Sequence, residues 1–235
     1  MDTFIDSLLL ARKNIFKMIK ARGYTIDNIL QNMTRERLLQ MYSIFVENKA
    51  NNWKNKSDIM DIFIENEGCS IRVIWIPDSY TDTICKNYIN TLIEKKYDNN
   101  LGINDDIILI LLDDKYLDTK YYHLENNNIS IFSLVHLQFN LIEHTYIPKH
   151  KILSPDETKK ILNSYKIKPN QLPSIIRYID TENQDNEFIG DPVARYYGMR
   201  QDDIVEITRN SKTNGEHKVY RLVVGAPPLD LTYYE

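Results

Sequence analysis

One short stretch fixes its own secondary structure more tightly than any other in the chain: Asp191-Pro192-Val193-Ala194-Arg195-Tyr196-Tyr197-Gly198. The Asp191 side chain can accept from the first free N–H groups of a helix, and Pro192 falls at N1, where a missing N–H costs nothing. Gly198 can take the left-handed conformation that ends a helix. The spacing predicts a helix of about two turns, with small apolar Val193 and Ala194 facing a core. Ile204, Val205 and Ile207 then read as one buried strand and 219–224 as its partner. Turn chemistry at Ser211, Thr213, Asn214 and Gly215 joins them as a hairpin. This unit holds no nucleophile, metal cage or phosphate loop, and reads as a packing surface.

Upstream, Ser154-Pro155-Asp156-Glu157 is a capping box with proline at N1. The helix it starts carries Ile161, Leu162 and Tyr165. Gln171-Leu172-Pro173 leads into Ile175 and Ile176, and a polar, acidic, loop-like insertion follows at 180–187. Residues 143–235 therefore read as a small two-layer module of order β-α-β-α-β-β, trailing into a tail at 229–235.

Residues 1–142 follow another pattern. Phe4, Ile5, Leu8, Leu9, Ile15, Phe16 and Ile19 have helical spacing. Arg12, Lys13, Lys17 and Lys20 are assigned to the polar side, and Gly23 stops the helix. Tyr24 and Ile26 are expected to pack back on it. A second helix is expected from Thr34, as cap, to about Tyr42, with a loop at 49–56. Strands are expected around Ile59–Ile64, Ser70–Ile76 and Ile107–Leu112, the last a continuous apolar run of the kind buried on both faces. Helices are expected at 81–96 and 117–124, and more buried structure over 129–141. Strands alternating with helices indicate an α/β layer, so the chain as a whole is α/β, or α+β overall.

Charge is unevenly spread. Residues 1–56 hold ten Lys and Arg against five Asp and Glu, residues 57–142 six against fourteen. With a net charge of −4 the chain lacks a whole-molecule basic field for nucleic acid, although the N-terminal cations could meet phosphates. Their plainer reading is a solvated helix face. Cys69 and Cys85 cannot build a disulfide scaffold and read as reduced thiols of an intracellular protein. No secretory signal and no run of eighteen apolar residues is present.

Catalytic patterns are sparse. Asp113-Asp114-Lys115 after the apolar run has the acid-x-Lys form of metal-dependent nucleases, with Asp98 or Asp105 as an upstream acid. Its plainer reading is charge at the end of a strand. His136, His144 and His150 lack the Cys/His spacing of a zinc module. No cofactor is expected, and no small-molecule substrate or membrane.

From Glu143 on, the sequence resembles the fifth subunit shared by the eukaryotic nuclear RNA polymerases and its counterpart in archaeal RNA polymerase. The resemblance rests on Glu143-His144, Pro148-Lys149-His150, Leu153, Tyr165-Lys166-Ile167, Gln171-Leu172-Pro173, Asp191 to Gly198, Val205, Ile207, Arg209, Thr213, Gly215 and Tyr220-Arg221-Leu222-Val223. The N-terminal part is similar to the eukaryotic extension, with Arg22-Gly23-Tyr24 as its best marker. The resemblance implies a restriction-endonuclease-like jaw without catalytic activity, beside downstream DNA, over 1–142. It implies a module at 143–235 that anchors on the largest polymerase subunit. By family motif, the docking residues would be His144, Pro148, His150, Gln171, Leu172, Pro173, Asp191, Pro192, Arg195, Tyr196, Gly198, Arg209 and Arg221. The DNA-proximal candidates are Arg12, Lys13, Lys17, Lys20 and Arg22, with weak, non-specific duplex contact. Arg195 has a second reading, as a tie from the helix to its own module.

The sequence departs from the family pattern in places. Asp202 stands where the family usually has glycine and Asn214 where it has alanine. The segment between Pro173 and Asp191 is longer, and Asp113 to Asp118 replace a Thr-Pro-Ser element. These departures, with abundant Asn and Ile and only five alanines, suggest a large-DNA-virus copy working in a virion or cytoplasmic virus factory. The alternative is a nuclear, cellular protein. The competing functional classes are a free-standing DNA-binding transcription factor and a metal nuclease.

Overall fold

The computed structural model describes residues 2–51, 58–66, 68–76, 105–112, 128–177, 190–211 and 215–225. The helices expected at 81–96 and 117–124, the acid-x-Lys triplet, Asp98, Cys85 and the 180–187 insertion lie outside them. The chain divides into two compact units, the first running to Asn140 and the second from Leu141.

In the first unit, α1 (Asp2–Ala21), α2 (Asn28–Gln31) and α3 (Arg35–Asn51) precede a four-stranded sheet. The strands are β1 (Ile62–Asn66), β2 (Cys69–Ile76), β3 (Asp106–Leu111) and β4 (Ile129–Ser133), in spatial order β1-β2-β3-β4. The first pair is antiparallel; β2, β3 and β4 run parallel. Every residue of β3 is buried, as its unbroken apolar run requires of a strand covered on both faces. Burying each of its Ile and Leu side chains contributes roughly 1.5–3 kcal/mol.

Two expectations for this unit need correction, one for a helix and one for a strand. The second helix does not stop at Tyr42 but continues to Asn51. Phe45, seven residues past the buried Leu38, is completely buried and carries the apolar stripe forward against the local Asn-rich composition. The strand expected to include Ile59 begins at Ile62, with Ile59 in a 3-10 turn. Thr34 is the expected cap, accepting from the Arg37 N–H at 3.3 Å. Tyr24 is buried and donates to the Ser70 carbonyl.

The second unit has the element order β5 (Lys149–Ile152), α4 (Pro155–Tyr165), β6 (Ser174–Ile176), α5 (Pro192–Tyr197), β7 (Ile204–Ser211) and β8 (Gly215–Val224). Its sheet is ordered β5-β7-β8-β6 around the β7–β8 hairpin, with β6 parallel to β8. Alternation separates two faces. One carries Ile152, Val205, Ile207, Val223 and Ile175, and with Val193, Ala194 and Met199 it forms the core. The other carries Lys151, Glu206, Lys218 and Tyr220. There α4 touches the sheet, with Tyr165 and Tyr220 rings 6.0 Å apart and Lys151 paired to Glu157.

The caps are as the local sequence dictates. Ser154 and Glu157 make the reciprocal capping box on α4. Asp191 Oδ1 accepts from the N–H groups of Val193 and Ala194 at 2.8 and 3.0 Å. Gly198 ends α5 at φ 61°.

Candidate functional interface

The core-side face also carries polar groups. Extending that face along the ladder brings His150 opposite Ile207, Arg221 opposite Val205, and Arg209 opposite His217. His150 is half-buried, and its Nδ1 lies 2.8 Å from the Pro148 carbonyl. A neutral imidazole donating there matches the electrostatics. Burial lowers the His150 pKa below the ordinary value, the Pro148 hydrogen bond and Asp191 offset this in part, and Arg209 and Arg221 lower it further. The Tyr197 ring is 6.4 Å from that of His150, and burial raises its phenol pKa. Arg221 Nη1 donates to the Ser174 carbonyl at 3.2 Å, holding β6 to β8 from the side-chain level. Arg209 is exposed. The result is a neutral imidazole and a phenol flanked by two guanidinium groups and one carboxylate, suited to carboxylate or carbonyl groups of a partner. No proton transfer or nucleophilic attack is built into it.

The other family-motif residues are more scattered. His144 is exposed, and its Nδ1 accepts from the Tyr146 N–H. Pro148, Leu172 and Gly198 are half-buried; Pro173 and Pro192 are exposed. Gln171 is spent on local structure, its Oε1 accepting from the Lys168 N–H at 2.8 Å. Arg195 and Tyr196 differ from the expectation of a docking surface: each is only 4% exposed. In a six-residue helix whose middle four residues are all buried, no outward face is left for them. Sequence reasoning missed Tyr197. It also missed Arg177, fully buried with Nε donating to the Met199 carbonyl. Nothing in its sequence context marks that role.

Among the DNA-proximal candidates, Lys13, Lys17 and Lys20 are exposed on one stripe of α1. Arg12 and Arg22 are not on it. Arg12 is 4% exposed, because positions 5, 8, 12, 15, 16 and 19 form the buried stripe. The Arg22 side chain is 3% exposed and reaches Asp106 and Ser130. Asp105, a possible nuclease acid, accepts from the Ser70 N–H and hydroxyl and so ties β2 to the start of β3. Among the described residues no group of three His, Cys, Asp or Glu side chains could hold a metal ion.

Comparison with known proteins shows the family. The family model "RNA polymerase Rpb5, C-terminal domain" matches residues 139–185 and 186–223. An archaeal subunit Rpo5 of the DNA-directed RNA polymerase, from Aeropyrum pernix, is 42% identical over 84 residues, 36% of this chain and 80% of that protein. The Dictyostelium discoideum subunit rpabc1 of RNA polymerases I, II and III is 28% identical over 222 residues, covering 94% of this chain and 98% of that one. A subunit 5-like protein of Arabidopsis thaliana is 26% identical over 237 residues, covering 95% and 99%. These are non-catalytic subunits of multisubunit DNA-directed RNA polymerases. The chain belongs to their family, that of RNA polymerase subunit 5. The relatives are cellular, eukaryotic and archaeal, and lend the viral origin and the virus-factory location no support.

Proposed function

We propose that the second unit docks this chain on the largest subunit of its polymerase through His150, Tyr197, Arg209 and Arg221, with Asp191 at the edge. The observation carrying the reading is that His150, Arg209 and Arg221 share one sheet face, where the two arginines act on a half-buried histidine. The archaeal relative supports it, because a match of 84 residues makes up 80% of that protein. A chain little larger than the second unit is thus a subunit by itself. His144, Pro148, Gln171, Leu172 and Pro173 are proposed as the outer rim, and Pro192 and Gly198 as the frame that holds Tyr197.

The first unit is proposed to lie near downstream duplex DNA, with Lys13, Lys17 and Lys20 facing phosphates. Three cations give weak, non-specific binding with a shallow salt slope. A cellular protein with this role would work in the nucleus.

Affinity purification of the tagged chain from its native source tests the reading. Large polymerase subunits should co-purify, and Arg209→Ala/Arg221→Ala should lose them while giving up only about 1 kcal/mol with the Arg221–Ser174 hydrogen bond. A wild-type preparation without polymerase subunits, or full assembly of the double variant, overturns it. Sequence-selective nanomolar duplex binding by the free chain would instead favour a free-standing transcription factor.

A further inference from the structure

Arg177 follows the last residue of β6 and is fully buried, with Nε donating to the Met199 carbonyl at 3.0 Å. Desolvating a guanidinium is costly, so a core that holds one needs a reason. The reason lies in what the hydrogen bonds around it span. The Arg177 N–H donates to the Val224 carbonyl of β8 at 2.9 Å, which fixes the Arg177 backbone to the sheet. The Ile176 carbonyl accepts from the Asp191 N–H at 2.7 Å, just before α5. Two consecutive residues at the end of β6 thus hold both ends of α5, Ile176 at its start and Arg177 just past its end.

A helix of six residues has too little hydrogen bonding of its own to keep its place. The end that Arg177 holds is a closed turn. Gly198 is left-handed, the Met199 N–H donates to the Ala194 carbonyl at 3.0 Å, and Met199 is itself fully buried. Displacing the Met199 carbonyl therefore displaces Tyr197, two residues earlier. Tyr197 is half-buried, with its ring 6.4 Å from that of His150 in β5. β5 and β6 are opposite edges of the sheet, so strand pairing places His150 but not Tyr197.

We infer that Arg177 is a positioning residue of the docking surface, acting through the Met199 carbonyl to set Tyr197 against His150. The inference rests on the docking reading and deepens it, since it gives a buried cation outside the surface a part in assembly.

Two substitutions in the full-length chain separate the donor from the charge. Glutamine carries an amide N–H as many bonds from Cα as the arginine Nε, without the charge, whereas methionine has a similar reach and no donor. In the free protein the His150 titration midpoint is followed by NMR. Burial holds it below the ordinary value, so a displaced Tyr197 should let it rise in Arg177→Met, while Arg177→Gln should keep it. In tagged chain purified from the native source, Arg177→Met should reduce the co-purified largest subunit about tenfold per folded chain, and Arg177→Gln should not. In a Tyr197→Ala background, Arg177→Met should cause no further loss. A His150 midpoint unmoved by Arg177→Met, or equal losses from Arg177→Met and Arg177→Gln, overturns the inference. If Arg177→Met does not fold, a raised midpoint or lost assembly in Arg177→Gln overturns it instead. Tyr197→Ala alone tests the reading beneath. Full assembly of that variant overturns docking through Tyr197, and the positioning role with it. Weakened assembly of Tyr197→Ala beside normal assembly of Arg177→Met overturns the positioning role alone.

Discussion

Arg22 Nη1 lies 3.7 Å from Asp106 Oδ2, with the two side chains 3% and 8% exposed. The pair joins the end of α1 to the first residue of β3, and Arg22 Nη2 also donates to Ser130 in β4 at 3.1 Å. An arginine that reads from sequence as a DNA contact is thus part of the interior.

Removing Asp106 takes one carboxylate from a buried arginine that keeps its other contacts, at a cost of about 1–3 kcal/mol. Asp106→Ala should lower stability by that amount in urea unfolding of the full chain. Asp106→Asn, which keeps the shape and an acceptor, should cost less. An Asp106→Ala variant within about 1 kcal/mol of wild type would show that the pair contributes little.

Local signals and buried charges differ in how far the sequence reveals them. The frame of α5 is legible because Asp191, Pro192 and Gly198 act on their own backbone within a few residues. The same holds for Ser154 and Glu157 on α4. Arg12 and Arg22 read wrongly from sequence because charge alone points a side chain outward, whatever its position. For Arg12 a signal exists: it falls four residues after Leu8 and four before Phe16, on the apolar stripe itself. Arg177 and Arg195 offer none, since a three-residue strand and a six-residue helix are too short for periodicity to tell inside from outside. Arg209 and Arg221 follow from family resemblance, but their approach to His150 depends on strand register across β5, β7 and β8, which no local pattern sets.

The α5 cap gives a second test. Asp191 Oδ1 serves two N–H groups, so Asp191→Ala should cost about 1–2 kcal/mol, and Asp191→Asn clearly less. Chemical denaturation followed by a probe in the second unit measures this. Equal losses for the two variants would mean that charge rather than capping is at stake.

Asp202 occupies a left-handed conformation, φ 72°, where the family usually has glycine. Its N–H donates to the Val223 carbonyl at 2.9 Å, so the turn is held in place. Asp202→Gly should be neutral or stabilising by up to about 1 kcal/mol, because glycine removes the Cβ strain but adds unfolded-state entropy. Asp202→Val should destabilise by about 1–3 kcal/mol. A valine variant as stable as wild type would contradict the strained turn.

Acid titration bears on the α4 cap. The Lys151 hydrogen bond, followed by the Ser154 backbone N–H, holds the Glu157 pKa at about 2 against an ordinary 4.5. A depressed folded-state pKa stabilises the protein above the unfolded value, and that contribution is lost as pH falls through 4.5 toward 2. Glu157→Gln should flatten the stability–pH curve in that window and leave its slope near neutral pH unchanged. A Glu157 side-chain NMR titration midpoint near the ordinary 4.5 would refute the strong cap.

The remaining prediction separates Arg195 from the docking arginines. Arg195 is 4% exposed, one residue past the fully buried Ala194. Its stem and guanidinium occupy interior volume, so Arg195→Ala removes packing as well as charge. The variant should lose about 2–3 kcal/mol in urea unfolding, and incorporation into polymerase should fall only as far as folding falls. Arg209→Ala/Arg221→Ala should do the reverse, losing incorporation while giving up only about 1 kcal/mol with the Arg221–Ser174 hydrogen bond, since Arg209 is exposed and Arg221 is half-buried. Measuring both quantities on both variants gives a crossed pattern. If Arg195→Ala melts normally and fails to assemble, Arg195 must turn outward on docking, and the family-motif reading of this residue is restored.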